Sequence, residues 1–156
     1  MEPILRRSAR VVPVSATGEV LLLLDHDPER PDAPRWGTVG GGVDERESLV
    51  DAALRELHEE TGVRAGAADL VGPFHHQVQD FSWRGTTYRG DATFFALALD
   101  RAQEVVFDHL EEAEVGVVLE ARWWTPDDLA DDGRLVSPDL CDIMTAAVRA
   151  VLGGDQ

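Results

Sequence analysis

The segment from residue 40 to residue 63, GGGVDERESLVDAALRELHEETGV, constrains this chain more than any other. It joins a glycine turn to one helix and a terminating glycine. Ser48, with Asp51 three residues on, is an N-cap signal. Gly62 follows the last periodic residue, where a left-handed cap is cheapest for glycine. Between them Leu49, Ala52, Ala53 and Leu57 form one apolar stripe at helical spacing. Glu56, Glu59 and Glu60 fall at offsets 0, 3 and 4, and so share a different face within one turn. Arg55 lies four residues before Glu59 and eight after Glu47, in reach of charge-assisted hydrogen bonds that tie the helix to its preceding loop.

Three carboxylates on one turn repel one another, which destabilises the helix or raises their pKa values. A hard divalent cation removes that conflict. An oxygen-only donor set with no neighbouring cysteine points to Mg²⁺ or Mn²⁺ rather than zinc. Alone, such a cluster reads as a solvated acidic face. Here it comes in register with the glycine turn, Glu47, Arg55 and Gly62.

That register resembles the Nudix (MutT-like) box, G-x5-E-x7-R-E-U-x-E-E-x-G-U with U aliphatic, at every specified position from Gly41 to Val63. The box covers 23 of 156 residues. Two departures touch no metal-ligand position: Val39 stands where many members have proline, and Arg46 where a glycine often precedes the first glutamate. The resemblance implies an α/β fold, an α/β/α sandwich with a mixed β-sheet between helices. It also implies a metal-dependent pyrophosphohydrolase that cleaves a phosphoanhydride in a nucleoside diphosphate linked to another group. By the same resemblance Glu56, Glu59 and Glu60 hold the ions, joined by the Gly41 backbone and a glutamate on a distant loop. Glu47 and Arg55 support them, and Glu56 or the loop glutamate takes the proton from water. Glu114, then Glu112, are the preferred loop candidates, with Glu111 beside them.

The length suits one domain spanning 1–156, with 1–6 and 153–156 expected as flexible ends. No apolar run approaches a membrane span or a signal-peptide core, so a cytoplasmic location and no membrane partner are expected. One cysteine, Cys141, excludes an internal disulfide framework and reads as a packed helix residue. The formal charge of −16 argues against binding long nucleic acid. A small nucleotide carried by a cation fits better. An RNA-end pyrophosphohydrolase would need a local arginine patch. Homodimers occur in the family, and the sequence does not test for one.

In chain order, 8–14 and 20–25 read as strands joined by a turn at Thr17-Gly18-Glu19, with Pro13 near an edge or bulge. A proline-rich loop, 26–35, carries His26 and Arg35 as candidate phosphate contacts. Trp36 is either a core anchor or a liner of the nucleoside pocket. Gly40 to Gly42 match neither GxGxxG nor GKS/GKT, so they serve a tight turn and close approach of backbone to substrate. Residues 70–83 and 86–99 read as a long hairpin turning at Arg84-Gly85, with a bulge at Gly90. Gln77, Gln79, Phe81, Trp83, Tyr88 and Arg89 are its candidate substrate contacts. His75-His76 is discounted as a metal pair because adjacent strand residues face opposite ways. A strand at 119–124 leads into a short helix capped by Thr125. Ser137-Pro138 opens a last amphipathic helix. Its Asp139 matches a place where some members of the resembled family read a nucleobase, and stabilisation of the helix N-terminus is the preferred reading.

Signatures for NADH, ADP-ribose and dinucleoside polyphosphate substrates are missing, and the chain has no asparagine. A nucleoside triphosphate or modified nucleotide remains by elimination. The competing reading is a non-catalytic Nudix-fold sensor or binding module. Such domains usually lose box carboxylates, and this chain keeps Glu56, Glu59 and Glu60.

Overall fold

The computed structural model describes residues 2–110 and 115–153. Seven strands, β1 (Ile4–Val14), β2 (Val20–Asp25), β3 (Arg35–Gly37), β4 (Val39–Gly42), β5 (Val71–Trp83), β6 (Thr86–Ala98) and β7 (Val118–Trp124), form one mixed sheet. Helix α1 (Leu49–Thr61) covers one face, and α2 (Pro126–Asp132) and α3 (Leu140–Leu152) cover the other. The expected sandwich is present.

β1 is the spine of the sheet. It runs parallel to β6 from Ile4↔Tyr88 to Val14↔Ala98 and antiparallel to β4 from Ser8↔Gly42 to Val11↔Val39. Because successive side chains alternate between faces, β1 and β6 feed two cores at once. Val12, Val14, Phe94 and Ala96 pack under α3, while Ala9, Val11, Phe95 and Leu97 pack under α1. Complete burial of each large aliphatic side chain contributes about 1.5–3 kcal/mol.

The helices end where their caps dictate. Ser48 Oγ accepts from the Asp51 N–H at 3.0 Å, and Gly62 closes α1 at φ 79°. Ala52, Ala53 and Leu57 are fully buried, as the stripe requires. Thr125 Oγ1 accepts from the Asp128 N–H at 3.2 Å to cap α2. On α3 the expected stripe is buried through Leu140, Ile143, Met144 and Ala147, whereas Leu152 is exposed.

Several details differ from expectation. Ile4 to Arg6, expected in a flexible end, extend β1 by pairing with Tyr88 to Gly90. The turn between β1 and β2 forms, but the strands share only the Val14↔Val20 pair before diverging to other partners. Pro13 sits on the central strand rather than an edge, where β1 has β6 on one flank and a gap between its β4 and β2 pairings on the other. Gly90 keeps regular register with Gln79, and the irregularity lies at Val71/His75 instead. What Gly90 provides is space: a Cβ there would stand 2.9 Å from the Phe81 ring.

Candidate active site

The site begins at the glycine strand. Gly40 has φ 142°, and a Cβ on it would stand 2.4 Å from the Ala9 carbonyl oxygen, so only glycine fits. Its N–H donates to Glu60 Oε1 at 2.7 Å. A Cβ on Gly41 would stand 2.7 Å from the Glu56 carboxylate. The strand backbone therefore lies directly against two carboxylates that are only 6% and 5% exposed, Glu56 and Glu60.

Arg55 organises the rest. Its Nε and Nη2 donate to the two Glu47 carboxylate oxygens at 2.8 and 3.0 Å, and Nη2 also donates to the Gly42 carbonyl at 2.8 Å. Nη1 donates to Glu56 Oε2 at 2.9 Å and to Glu59 Oε1 at 3.2 Å. The paired guanidinium holds the Glu47 carboxyl below its ordinary range, and Glu47 in turn raises the Arg55 pKa. Glu47 also accepts from the Asp44 N–H at 2.9 Å, which fixes the loop entering α1. In that loop Arg46 sits at φ 69°, a left-handed conformation that explains why glycine is common there.

The donor set fits a hard cation in chemistry: carboxylate oxygens beside a backbone carbonyl strand. In arrangement it fits only in part. Among the described residues no three histidine, cysteine or acidic side chains converge enough to hold an ion. Arg55 Nη1 bridges Glu56 and Glu59 here. The loop candidates Glu111, Glu112 and Glu114 lie outside the described residues.

Glu56, Glu60 and the glycine strand form one wall of a cleft of about 730 Å³. Its floor includes the face of the sheet that carries Ser8, Arg10, Ala92 and Phe94. Arg35, Gly40, Phe81, Gln77, Gln79, Trp83 and Tyr88 line it, as does His26, whose ring bonds the Asp27 and Gly116 carbonyls. Phe81 stacks on Tyr88 with ring centroids 5.4 Å apart.

Glu59 is not part of the cleft lining, and three candidate substrate contacts also lie elsewhere. Trp36 is fully buried edge-on against Trp124 in the α3-side core, the anchor alternative rather than the pocket one. Arg89 is not part of the lining, whereas Asp80, with which it pairs at 2.9 Å, is. Asp139 makes no side-chain cap bond to α3 and is not part of the lining; it accepts hydrogen bonds from Ser137 and Gln77. Cys141 packs toward α2, its Sγ donating to the Pro126 carbonyl at 3.3 Å, with burial pushing the thiol pKa up. His75 and His76 diverge as expected: His75 packs edge-on to Phe94 and His76 meets Asp91 at 2.6 Å.

Sequence reasoning missed four arginines of the lining, Arg6, Arg10, Arg30 and Arg84. Arg10 is anchored by Thr38, donating to its hydroxyl at 3.0 Å and its carbonyl at 2.6 Å. The alternation Arg6, Ser8, Arg10 against Ala9 and Val11 was the available signal. Also unforeseen was His58 of α1, stacked on His109 with centroids 4.3 Å apart. Burial, then Arg64 and His109, lowers the His58 pKa.

The NUDIX domain model matches residues 4–140. An RNA pyrophosphohydrolase of Erythrobacter litoralis is 31% identical over 122 residues, covering 73% of this chain and 71% of that protein. A putative 8-oxo-dGTP diphosphatase of Bacillus subtilis is 35% identical over 68 residues, covering 44% of this chain and 42% of the relative. Among solved structures, the E. coli dihydroneopterin triphosphate pyrophosphohydrolase superposes with TM-score 0.69 at 22% identity, covering 93% of this chain and 97% of that one, a likeness of fold. No described helix is long and apolar enough to cross a membrane. With its box complete and its buried carboxylates opening on the cleft, the chain belongs to the Nudix family, as a pyrophosphohydrolase acting on phosphorus-containing anhydrides.

Proposed function

We propose that the substrate is a nucleoside triphosphate or modified nucleotide, and that Glu56, Glu59 and Glu60 hold Mg²⁺, with Mn²⁺ as a substitute. The observation that carries this reading is the pair of nearly buried carboxylates, Glu56 and Glu60, facing the cleft beside the glycine strand. Burying two carboxylates side by side is expensive unless positive charge compensates them. Arg55 compensates from one side, and a cation would do so from the cleft.

A divalent ion held by Glu56, Glu59 and Glu60 would supply water activation and relief of developing charge. The chain supplies the rest. Water adds to one phosphorus, the anhydride P–O bond breaks, and the departing phosphate keeps the bonding electrons. Glu56, or the loop glutamate at 112 or 114, accepts the proton that water gives up. Glu47 and Arg55 hold the carboxylates in position rather than touch substrate. Arg35 and the other cleft arginines bind phosphate oxygens.

A second reading has a specific observation behind it. Five arginines, Arg6, Arg10, Arg30, Arg35 and Arg84, line the cleft of a chain whose net charge is −16. Asp25, Asp27, Glu56, Glu60 and Asp80 line it too, so the arginines offer phosphate contacts to an RNA 5′-triphosphate end without making the cleft basic as a whole.

One experiment tests both readings. The purified protein is incubated with Mg²⁺ or Mn²⁺ and a panel of nucleoside triphosphates, oxidised nucleotides, ADP-ribose, dinucleoside polyphosphates, nucleotide sugars and a 5′-triphosphorylated oligoribonucleotide. Metal-dependent cleavage of mononucleotides, abolished in Glu60→Gln, supports the first reading. Cleavage confined to the oligoribonucleotide supports the second. Metal-independent turnover, or equal turnover by Glu60→Gln, would overturn the site assignment.

A further inference from the structure

We infer that Gln77 is the base-reading residue of the cleft, with its amide oxygen presented to an exocyclic amino group on the edge of a purine. In this arrangement Asp139 is a positioning residue that sets the polarity of that amide. The inference rests on the nucleotide reading above and says which part of the ligand is read where.

Asp139 sets the polarity of the Gln77 amide. It occupies the N-cap of α3, where an aspartate ordinarily accepts a backbone N–H of the first turn. Here it makes no such bond. One carboxylate oxygen accepts from Ser137 Oγ at 2.7 Å, and the other accepts from Gln77 Nε2. A carboxylate can only accept, so the bond to Gln77 must come from the amide nitrogen. An amide of free orientation could read either a donor or an acceptor. This one is held with its nitrogen end at α3, leaving Oε1 as its acceptor end.

The surroundings suit a planar ring. Gln77 shares the cleft with Ala92, Phe94, Leu140 and Ile143, an apolar wall next to one polar reader. In register, Gly42, Ser8, Ala92 and Gln77 form one row across four adjacent strands. Three inter-strand spacings place Gln77 about 14 Å from the glycine strand. Only a hydroxymethyl and a methyl group stand on the row between, so a sugar and its first phosphates can lie over a smooth floor.

Calorimetric titration of nucleoside monophosphates tests this without metal or turnover. The probes are AMP against purine riboside monophosphate and GMP against IMP, each pair differing by one exocyclic amino group. The wild-type protein is expected to bind the amino-bearing member of at least one pair roughly ten-fold tighter. Gln77→Ala should bring that ratio close to one. Asp139→Asn should also shrink it, because asparagine donates as well as accepts and the Gln77 amide can then turn over. Thermal melts of both variants check that the fold persists. No binding by any monophosphate, equal binding within both pairs, or a ratio unmoved by Gln77→Ala overturns the inference. An Asp139→Asn ratio equal to wild type overturns the polarity role of Asp139. Failure of the hydrolysis panel would instead strike the substrate reading, since these titrations need no catalysis.

Discussion

The Gly40 N–H donates to Glu60 Oε1 at 2.7 Å, a buried bond across twenty residues of sequence. A charged acceptor on a backbone donor is one of the stronger hydrogen bonds a protein makes. It holds one Glu60 oxygen in place at the margin of the cleft. Glu60→Gln keeps an acceptor for Gly40 but removes the charge a cation needs. Its melting temperature should stay within a few degrees of wild type, while kcat falls by roughly two orders of magnitude or more. Paired melts and initial rates check this.

Gly40 and Gly41 should separate folding from catalysis. Gly40→Ala sets a Cβ 2.4 Å from the Ala9 carbonyl oxygen at a φ that side chains rarely adopt. A stability loss of at least about 1–3 kcal/mol is expected in urea denaturation. In Gly41→Ala the nearest atoms to the new Cβ belong to the Glu56 carboxylate, the far end of a side chain that must shift from its bond with Arg55. That variant should fold nearly normally and lose activity by roughly 100-fold, the scale of a 1 Å misplacement.

Arg55→Lys should be far from conservative. A lysine ammonium cannot reproduce the two-pronged bond to Glu47 along with the contacts to Gly42, Glu56 and Glu59. Activity should drop about 10- to 100-fold. The pH dependence of stability gives a second readout. The Glu47 pKa is lowered in the folded state, so its contribution is fully present above the ordinary value of 4.5 and is lost as pH falls through the folded value. Melts from pH 6 downward should fall less steeply in Arg55→Lys than in wild type.

Arg46→Gly should stabilise. Arg46 holds φ 69°, a conformation that strains a residue with a Cβ. Glycine removes the strain and adds flexibility to the unfolded chain, for a net gain of up to about 1 kcal/mol. A urea midpoint at or below that of wild type would show that the loop depends on the Arg46 side chain.

Trp36→Leu should act on the core alone. Trp36 is fully buried against Trp124 and does not line the cleft. A loss of roughly 2–4 kcal/mol is expected, with KM for the preferred nucleotide unchanged in the folded fraction. A large rise in KM at full folding would return Trp36 to the substrate pocket.

The helix of the box was legible because its signals are local. Ser48, the apolar stripe and Gly62 act within a few residues of one another, so α1 fell where its caps and period put it. Arg55 and Glu47 were legible for the same reason. The hairpin of β5 and β6 was also visible, from Arg84-Gly85 between two long strands. Arg89 was misplaced because Phe81, Tyr88 and Arg89 were taken together, although neighbours on a strand cannot share a face. Which face met the cleft depended on a pairing with β1 that no local pattern announced.

The sequence by itself determined the carboxylate helix, its caps, its arginine tie and the family, because helical period and spacing are properties of a short stretch of chain. The tertiary structure alone decided the cleft. Arg6 and Arg10 come from β1, Tyr88 and Ala92 from β6, Gln77 from β5, and the residue that orients Gln77 from the start of α3. Those groups meet only through the register of strands distant in sequence, and a one-residue slip would send every one of the strand side chains to the opposite face.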